Sequence, residues 1–339
     1  MKAFLIEAPR RAGFGTVDPP IPGPGEVLLR IRTVGFCGTD LSSYRGQNTL
    51  VSYPRTPGHE IAATIERLGT EVPRTLQVGA EVTVLPYTAC GVCPACRRGR
   101  HNCCRDNETL GVQRDGAMTP YLAVPWEKVL PAPALSLAER ALVEPLSIGD
   151  HAADRAQVGR GDTVAVLGAG AIGLGVVAAA AYRGAHVIAV DLDESKLALA
   201  RRFGAAHVIH AREADLHAAL QALTNGDGPD IVFEAVGLPE TFVAAVEEVA
   251  YAGRVVYIGY AKAPVTYDST LFVKKEIDIL GSRNATPENF QRVIQMMEEG
   301  RVPVEALVTE TVAFEQAAEV LAAWDAHPQD YTRIHVRLD

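Results

Sequence analysis

Residues Val164–Ala180 read VAVLGAGAIGLGVVAAA: an apolar strand-like run that meets glycines at Gly168, Gly170 and Gly173 and continues as an alanine-rich helical run. In a GxGxxG turn between a strand and a helix, the first glycine makes the tight turn and the second lets the backbone approach a pyrophosphate. The third lets the helix pack closely on the strand. Alone, the spacing is a weak signal, since a glycine-packed turn can exist without a ligand. The next apolar run, HVIAVDLDESK (186–196), supplies the missing part. It ends on Asp191, about twenty residues on, where a carboxylate accepts hydrogen bonds from an adenosine ribose. Asp193 and Glu194 reinforce its charge and only Lys196 opposes it, so a ribose 2′-phosphate would be repelled and NAD is expected over NADP. Ala171 and Ile172 inside the turn, and Val236 and Gly259 at later strand ends, complete the expected cofactor set.

Outward from this turn, apolar runs alternate with helical ones: TVAVLGAG, HVIAVDLD, HVIHA, DIVFEAVG, RVVYIGY and IDILGS. That rhythm predicts a doubly wound parallel sheet in an α/β chain. Before about residue 150 the pattern is different, with short β-rich runs between Pro and Gly turns: VLLRIRTVGF, EIAATIERLG and AEVTVLPYTA. After Arg283, NATPENFQRVIQMMEEG and FEQAAEVLAAWDA read as amphipathic helices, and VTETVAF and RIHVRL as strands that rejoin the first lobe. With 339 residues, two domains are expected. A net charge of −9 without a compensating Lys/Arg block argues against a nucleic-acid partner. The start, MKAFLIEAPRRAGFG, has no long apolar core, and the apolar run Val164 to Tyr182 is studded with glycine, so neither secretion nor a membrane span is indicated and a cytoplasmic protein is expected.

Five of the six cysteines fall in CGVCPACRRGRHNCC, Cys90 to Cys104. In a reducing compartment such a cluster favours metal over disulfides. Cys90, Cys93 and Cys96, with one of the adjacent pair Cys103 and Cys104, can close a tetrahedral Zn²⁺ site. A redox CxxC would want a βαβ context that these loop-like flanks do not supply. A closed four-sulfur site has no open coordination position, so it reads as structural and the chemistry must lie elsewhere. The sixth cysteine, Cys37 in VGFCGTD, together with His59 and Glu60 in PGHE and Glu144 in LVEPLS, offers mixed ligands of the type that leave a position open. Singly, each is ordinary.

From end to end, GFCGTD, GHE, the cysteine lobe, EPLS, GAGAIG and the terminal helices follow the order of the zinc-dependent medium-chain alcohol and polyol dehydrogenases, which the chain resembles. The resemblance implies a GroES-like, mostly β catalytic domain from 1–148 and 283–339, with a structural-zinc lobe at about 88–106, and a Rossmann domain from 149–282. It implies two zinc ions per chain: a catalytic ion on Cys37 and His59, with Glu60 and Glu144 exchanging as carboxylates, and a structural ion on Cys90, Cys93, Cys96 and Cys104. Cys103 is left as a packed thiol. In that mechanism the metal lowers the pKa of a substrate hydroxyl, the substrate carbon gives hydride to NAD, and Thr39 takes the proton first. The chain departs from the usual CGTDxH at Ser42, which leaves the relay's exit unassigned.

Glu144, where many alcohol dehydrogenases carry cysteine, is similar to the sorbitol dehydrogenase branch. KKEIDILGSRNATPENF resembles the bacterial hexonate dehydrogenases, L-galactonate 5-dehydrogenases among them, and marks Arg283 and Asn284 as candidate substrate contacts. Arg283 could clamp a carboxylate or polyhydroxyl chain bidentately, or form a structural ion pair. The expected partner is a small polyol or sugar acid, with simple or aromatic alcohols as the alternative, and the expected assembly is a homo-oligomer. A zinc-independent quinone reductase would lack both ligand sets, and a non-catalytic zinc-ribbon protein is opposed by the acidic balance and the dinucleotide fingerprint.

Overall fold

The computed structural model describes Met1–Leu338. The chain forms two compact units, Met1–Glu144 with Val304–Asp339, and Pro145–Pro303.

The first unit is built on a seven-stranded sheet whose long strand is Glu26–Phe36. Val27, Leu29 and Ile31 are fully buried at alternate positions, as a half-buried strand requires. This strand pairs antiparallel with Glu60–Leu68 along one edge and, along the other, with Tyr121–Pro125 at its start and Ile334–Arg337 at its end; Ile334–Arg337 in turn pairs parallel with Glu310–Ala313. The C-terminal tail is therefore part of the first unit's sheet. Of AEVTVLPYTA only Glu81–Val84 is strand. Pro86 lacks the N–H a ladder needs, and beyond it the chain pairs with a different segment, through a bridge between Tyr87 and Thr109.

The second unit is a six-stranded, wholly parallel sheet. Numbered along the chain as Thr163–Leu167, His186–Asp191, His207–His210, Ile231–Glu234, Arg254–Tyr257 and Asp278–Gly281, its strands lie in the spatial order 3-2-1-4-5-6. That order places the reversal beside Thr163–Leu167, whose C-terminal end is where a doubly wound sheet takes its ligand.

The unit boundaries fall at 144/145 and 303/304, where the sequence placed them at 148/149 and 282/283. Helix Pro287–Glu298 is tied into the second unit by Asn289, whose amide donates to Asp150 and Asp154, and by Arg292, which pairs with the same two carboxylates. Arg183 completes the network from the other side, at 2.7 Å to each aspartate. Asp150 is fully buried, so two guanidinium groups and an amide are what make its charge tolerable there. No helix among the described residues is long and apolar enough to cross a membrane.

Candidate functional site

Three donor-bearing side chains converge in the first unit. The Cys37 sulfur, a ring nitrogen of His59 and a carboxylate oxygen of Glu60 lie within 4.8 Å of one another. Cys37 follows the long strand and caps the helix Gly38–Tyr44, where Asp40 accepts its backbone N–H at 2.9 Å. Glu60 opens the neighbouring strand, in register with Gly35, and His59 immediately precedes it. A Cβ at residue 35 would sit 2.2 Å from a Glu60 oxygen, so glycine there is what gives the carboxylate its room.

His59 and Glu60 are buried, and His59 Nδ1 and Glu60 Oε2 have no hydrogen-bond partner. Buried polar atoms are seldom left that way. An imidazole nitrogen, a thiol and a carboxylate oxygen are the mixed donor set that suits a zinc ion with one open position, so the residues present fit the metal. Burial opposes the charged form of His59. The hydrogen bond and charge of Cys37, then the charges of Asp40 and Glu144, outweigh it and raise the imidazole well above its usual value. Asp40 is pushed up to about 6 by burial, with His59 and the Cys37 N–H pulling the other way.

Glu144 is buried beside this group but is not one of the three grouped donors. Its Oε1 accepts a hydrogen bond from the Tyr87 hydroxyl. Burial raises its pKa and the neighbouring Glu60 charge adds to the rise. Burial and then the charge of Glu144 hold the Tyr87 hydroxyl well above the usual phenol range, so it is a neutral donor. The Thr39 hydroxyl lies 3.7 Å from the Cys37 sulfur. Sequence reasoning missed three residues here: Asp40, Tyr87, and Arg333, which is buried and donates to Glu60 Oε1 and to the Phe36 carbonyl. Arg333 comes from the tail, 273 residues from Glu60, and no local pattern pairs the two.

The sulfurs of Cys90, Cys93, Cys96 and Cys104 form a second group within 4.8 Å. Backbone N–H groups of Arg105 and Cys96 lower Cys93 to about 6, while desolvation and the neighbouring thiols raise Cys96 to about 12, as expected where four thiols crowd one point. All six cysteines are free of disulfides. Cys103 stands outside the group, and it is half-buried rather than packed, with Arg100 Nη2 3.5 Å from its sulfur.

In the second unit Gly168 adopts φ +96°, and a Cβ on Gly173 would lie 1.8 Å from the Gly168 carbonyl oxygen. Helix Ala171–Tyr182 can therefore seat against its strand only with glycine at 173. Asp191 ends its strand with Oδ2 accepting from Ala169 N (2.7 Å) and Oδ1 accepting from Leu192 N (2.7 Å) and Asp193 N (3.1 Å). Asp193 caps helix Glu194–Arg202, which carries Lys196. Val236 packs on Gly168, and Gly259 lies against Gly237 and the Glu234 carboxylate. The Val236 and Gly237 N–H groups both donate to Glu234 Oε1, which ties this turn to the end of its own strand. Arg283 and Asn284 follow the last strand of the same sheet, with Asn284 left-handed at φ +53°.

Two family models match the chain: an alcohol dehydrogenase GroES-like domain over residues 23–134 and a zinc-binding dehydrogenase over 171–299. The chain is 36% identical over 319 residues to L-galactonate-5-dehydrogenase of Escherichia coli K12, covering 94% of each sequence. Among solved structures it is similar to a protein described as the short chain alcohol dehydrogenase rspB of E. coli CFT073 complexed with NADH (TM-score 0.92, 30% identity, 100% and 99% covered). It is also similar to a putative zinc-binding dehydrogenase from Sinorhizobium meliloti 1021 bound to NADP (TM-score 0.91, 28% identity, 99% of each covered).

Proposed function

The chain belongs to the zinc-dependent alcohol dehydrogenase family of oxidoreductases, and from that premise we propose that it oxidises a secondary hydroxyl of a polyol, sugar or sugar acid to a ketone, with NAD as acceptor. A hexonate such as L-galactonate is the first substrate to try, in keeping with the relative that acts on it. The observation that carries the reading is the Cys37, His59 and Glu60 group with its unpartnered Nδ1 and Oε2.

In this reading Cys37, His59 and Glu60 hold one zinc, Cys90, Cys93, Cys96 and Cys104 hold another, and Glu144 is the reserve carboxylate. When bound, the first zinc supplies a Lewis acid that lowers the pKa of the substrate hydroxyl, and NAD supplies the hydride acceptor. The chain's own groups do the rest. The Thr39 hydroxyl relays the substrate proton, accepting it while passing its own on toward the cofactor ribose, and Arg333 fixes Glu60 by one oxygen so that the other keeps its direction. Gly168, Gly170 and Gly173, with Ala171 and Ile172, leave bare backbone for a pyrophosphate. Asp191 accepts from ribose hydroxyls and, with Asp193 and Glu194, disfavours a 2′-phosphate; Lys196, Val236 and Gly259 border the same cofactor. Since similar folds carry either NADH or NADP, it is this local charge that supports NAD. Arg283 and Asn284 would meet the polar end of the substrate. The test is a screen of hexonates, sugar alcohols and simple alcohols with NAD and NADP, followed at the nicotinamide absorbance. Turnover of hexonates or polyols with NAD supports the reading, and turnover confined to simple or aromatic alcohols overturns its substrate class.

A further inference from the structure

Two buried carboxylates adjoin Cys37 and His59, and each is engaged by a different kind of partner. Glu60 gives one oxygen to the Arg333 guanidinium and leaves the other unpartnered, inside the 4.8 Å group. Glu144 gives an oxygen to the neutral hydroxyl of Tyr87 and stays outside that group.

We propose that Tyr87 is a positioning residue that latches Glu144 outside the coordination shell, so that Cys37, His59 and Glu60 hold the ion and the fourth position stays open to substrate. The inference rests on reading those three residues as a metal site. A carboxylate beside a divalent cation in a dry pocket is drawn onto it, and four protein ligands would close the tetrahedron. A phenol counters this. It occupies an oxygen of Glu144 through a hydrogen bond and brings no charge of its own into the pocket.

Both ends of the latch are held by the backbone. Tyr87 bridges to Thr109 and is flanked by the bonds Leu110 N to Pro86 O (3.0 Å) and Thr88 N to Glu108 O (2.9 Å). Glu144 stands on the 19-residue helix Leu137–Arg155, immediately before Pro145. Neither side chain depends on a loose loop for its place.

Tyr87→Phe removes the hydroxyl and keeps the ring. The variant, alone and with Glu144→Gln, is loaded with Co²⁺, and each visible spectrum is taken as a difference against a Cys37→Ser protein, which isolates the ion at this site. Removal of zinc by a chelator is timed on the same proteins. The latch predicts an altered cobalt spectrum in Tyr87→Phe, about tenfold slower metal removal, and a fall in kcat of roughly tenfold or more, the scale on which residues behind a metal's ligands act. In the Glu144→Gln background, Tyr87→Phe should change none of these. A wild-type spectrum and removal rate in Tyr87→Phe, faster removal, or effects that persist without Glu144 would each overturn the latch while leaving the metal site standing. Absence of a Cys37-dependent cobalt spectrum in the wild-type protein would overturn the metal site itself, and the latch with it.

Discussion

Replacing Asp191 by serine removes one negative charge and a set of short contacts together. The carboxylate accepts from Ala169 N and Leu192 N at 2.7 Å and from Asp193 N at 3.1 Å, while retaining lone pairs for a ribose. A hydrogen bond to a charged group is worth about 1.5–3 kcal/mol, and Asp191 is half-buried, which extends the range downward. Loss of ribose contacts should cost NAD about 1–3 kcal/mol in kcat/KM, roughly 5- to 150-fold. NADP should lose less, because the same change removes a charge that opposes its phosphate. The freed Ala169 N–H lies in the phosphate turn, so thermal stability should also fall, without cofactor present. Asp191→Asn, which keeps the side chain's length and one acceptor oxygen, should recover stability more than it recovers cofactor preference. Steady-state kcat/KM with each cofactor and thermal unfolding of the apo variants supply the numbers. An unchanged NAD to NADP ratio in Asp191→Ser, or comparable kcat/KM for both cofactors in the wild-type protein, would refute the argument from charge.

The adjacent cysteines should separate cleanly. Cys104→Ser opens a four-thiol group, so zinc content and thermal stability should fall together, whereas half-buried Cys103→Ser should alter neither; equal metal loss in both would reverse the assignment. A pH effect follows from His335, which burial, aided by the Arg333 charge, lowers to about 3 from 6.5. Below pH 6.5 the unfolded chain binds a proton that the folded chain refuses, so stability present above 6.5 is lost as pH falls toward 3, at about 1.4 kcal/mol per pH unit. Denaturant unfolding at pH 7 and pH 5 should show a shallower loss in His335→Gln than in wild type, and parallel losses would contradict it.

Much of the fold was legible because its determinants are local. The strand ends, Gly168 with φ +96° and the 1.8 Å approach at Gly173 are written into one short run, and strand alternation gave the parallel sheet. The cysteine lobe is equally local. What escaped was set by distant partners. The tie of helix Pro287–Glu298 into the second unit depends on Asn289, Arg183 and Arg292 meeting Asp150 and Asp154, which lie far apart in the chain. Glu144 could be marked as a carboxylate of the candidate site, but its hydrogen bond with Tyr87, 57 residues away, has no local signal. Arg333 sits in an ordinary-looking terminal strand, and only the pairing of Ile334–Arg337 with the long strand brings it to Glu60.

The central claim, two metal sites with separate duties, is tested most directly by zinc stoichiometry measured beside activity in wild type and Cys37→Ser. The account predicts about two zinc ions per active chain, and in Cys37→Ser one zinc, an intact fold and no NAD reduction, as the two non-overlapping donor groups require. Fully active wild-type protein with one zinc or none, or a Cys37→Ser variant that still reduces NAD at the wild-type rate, would contradict it.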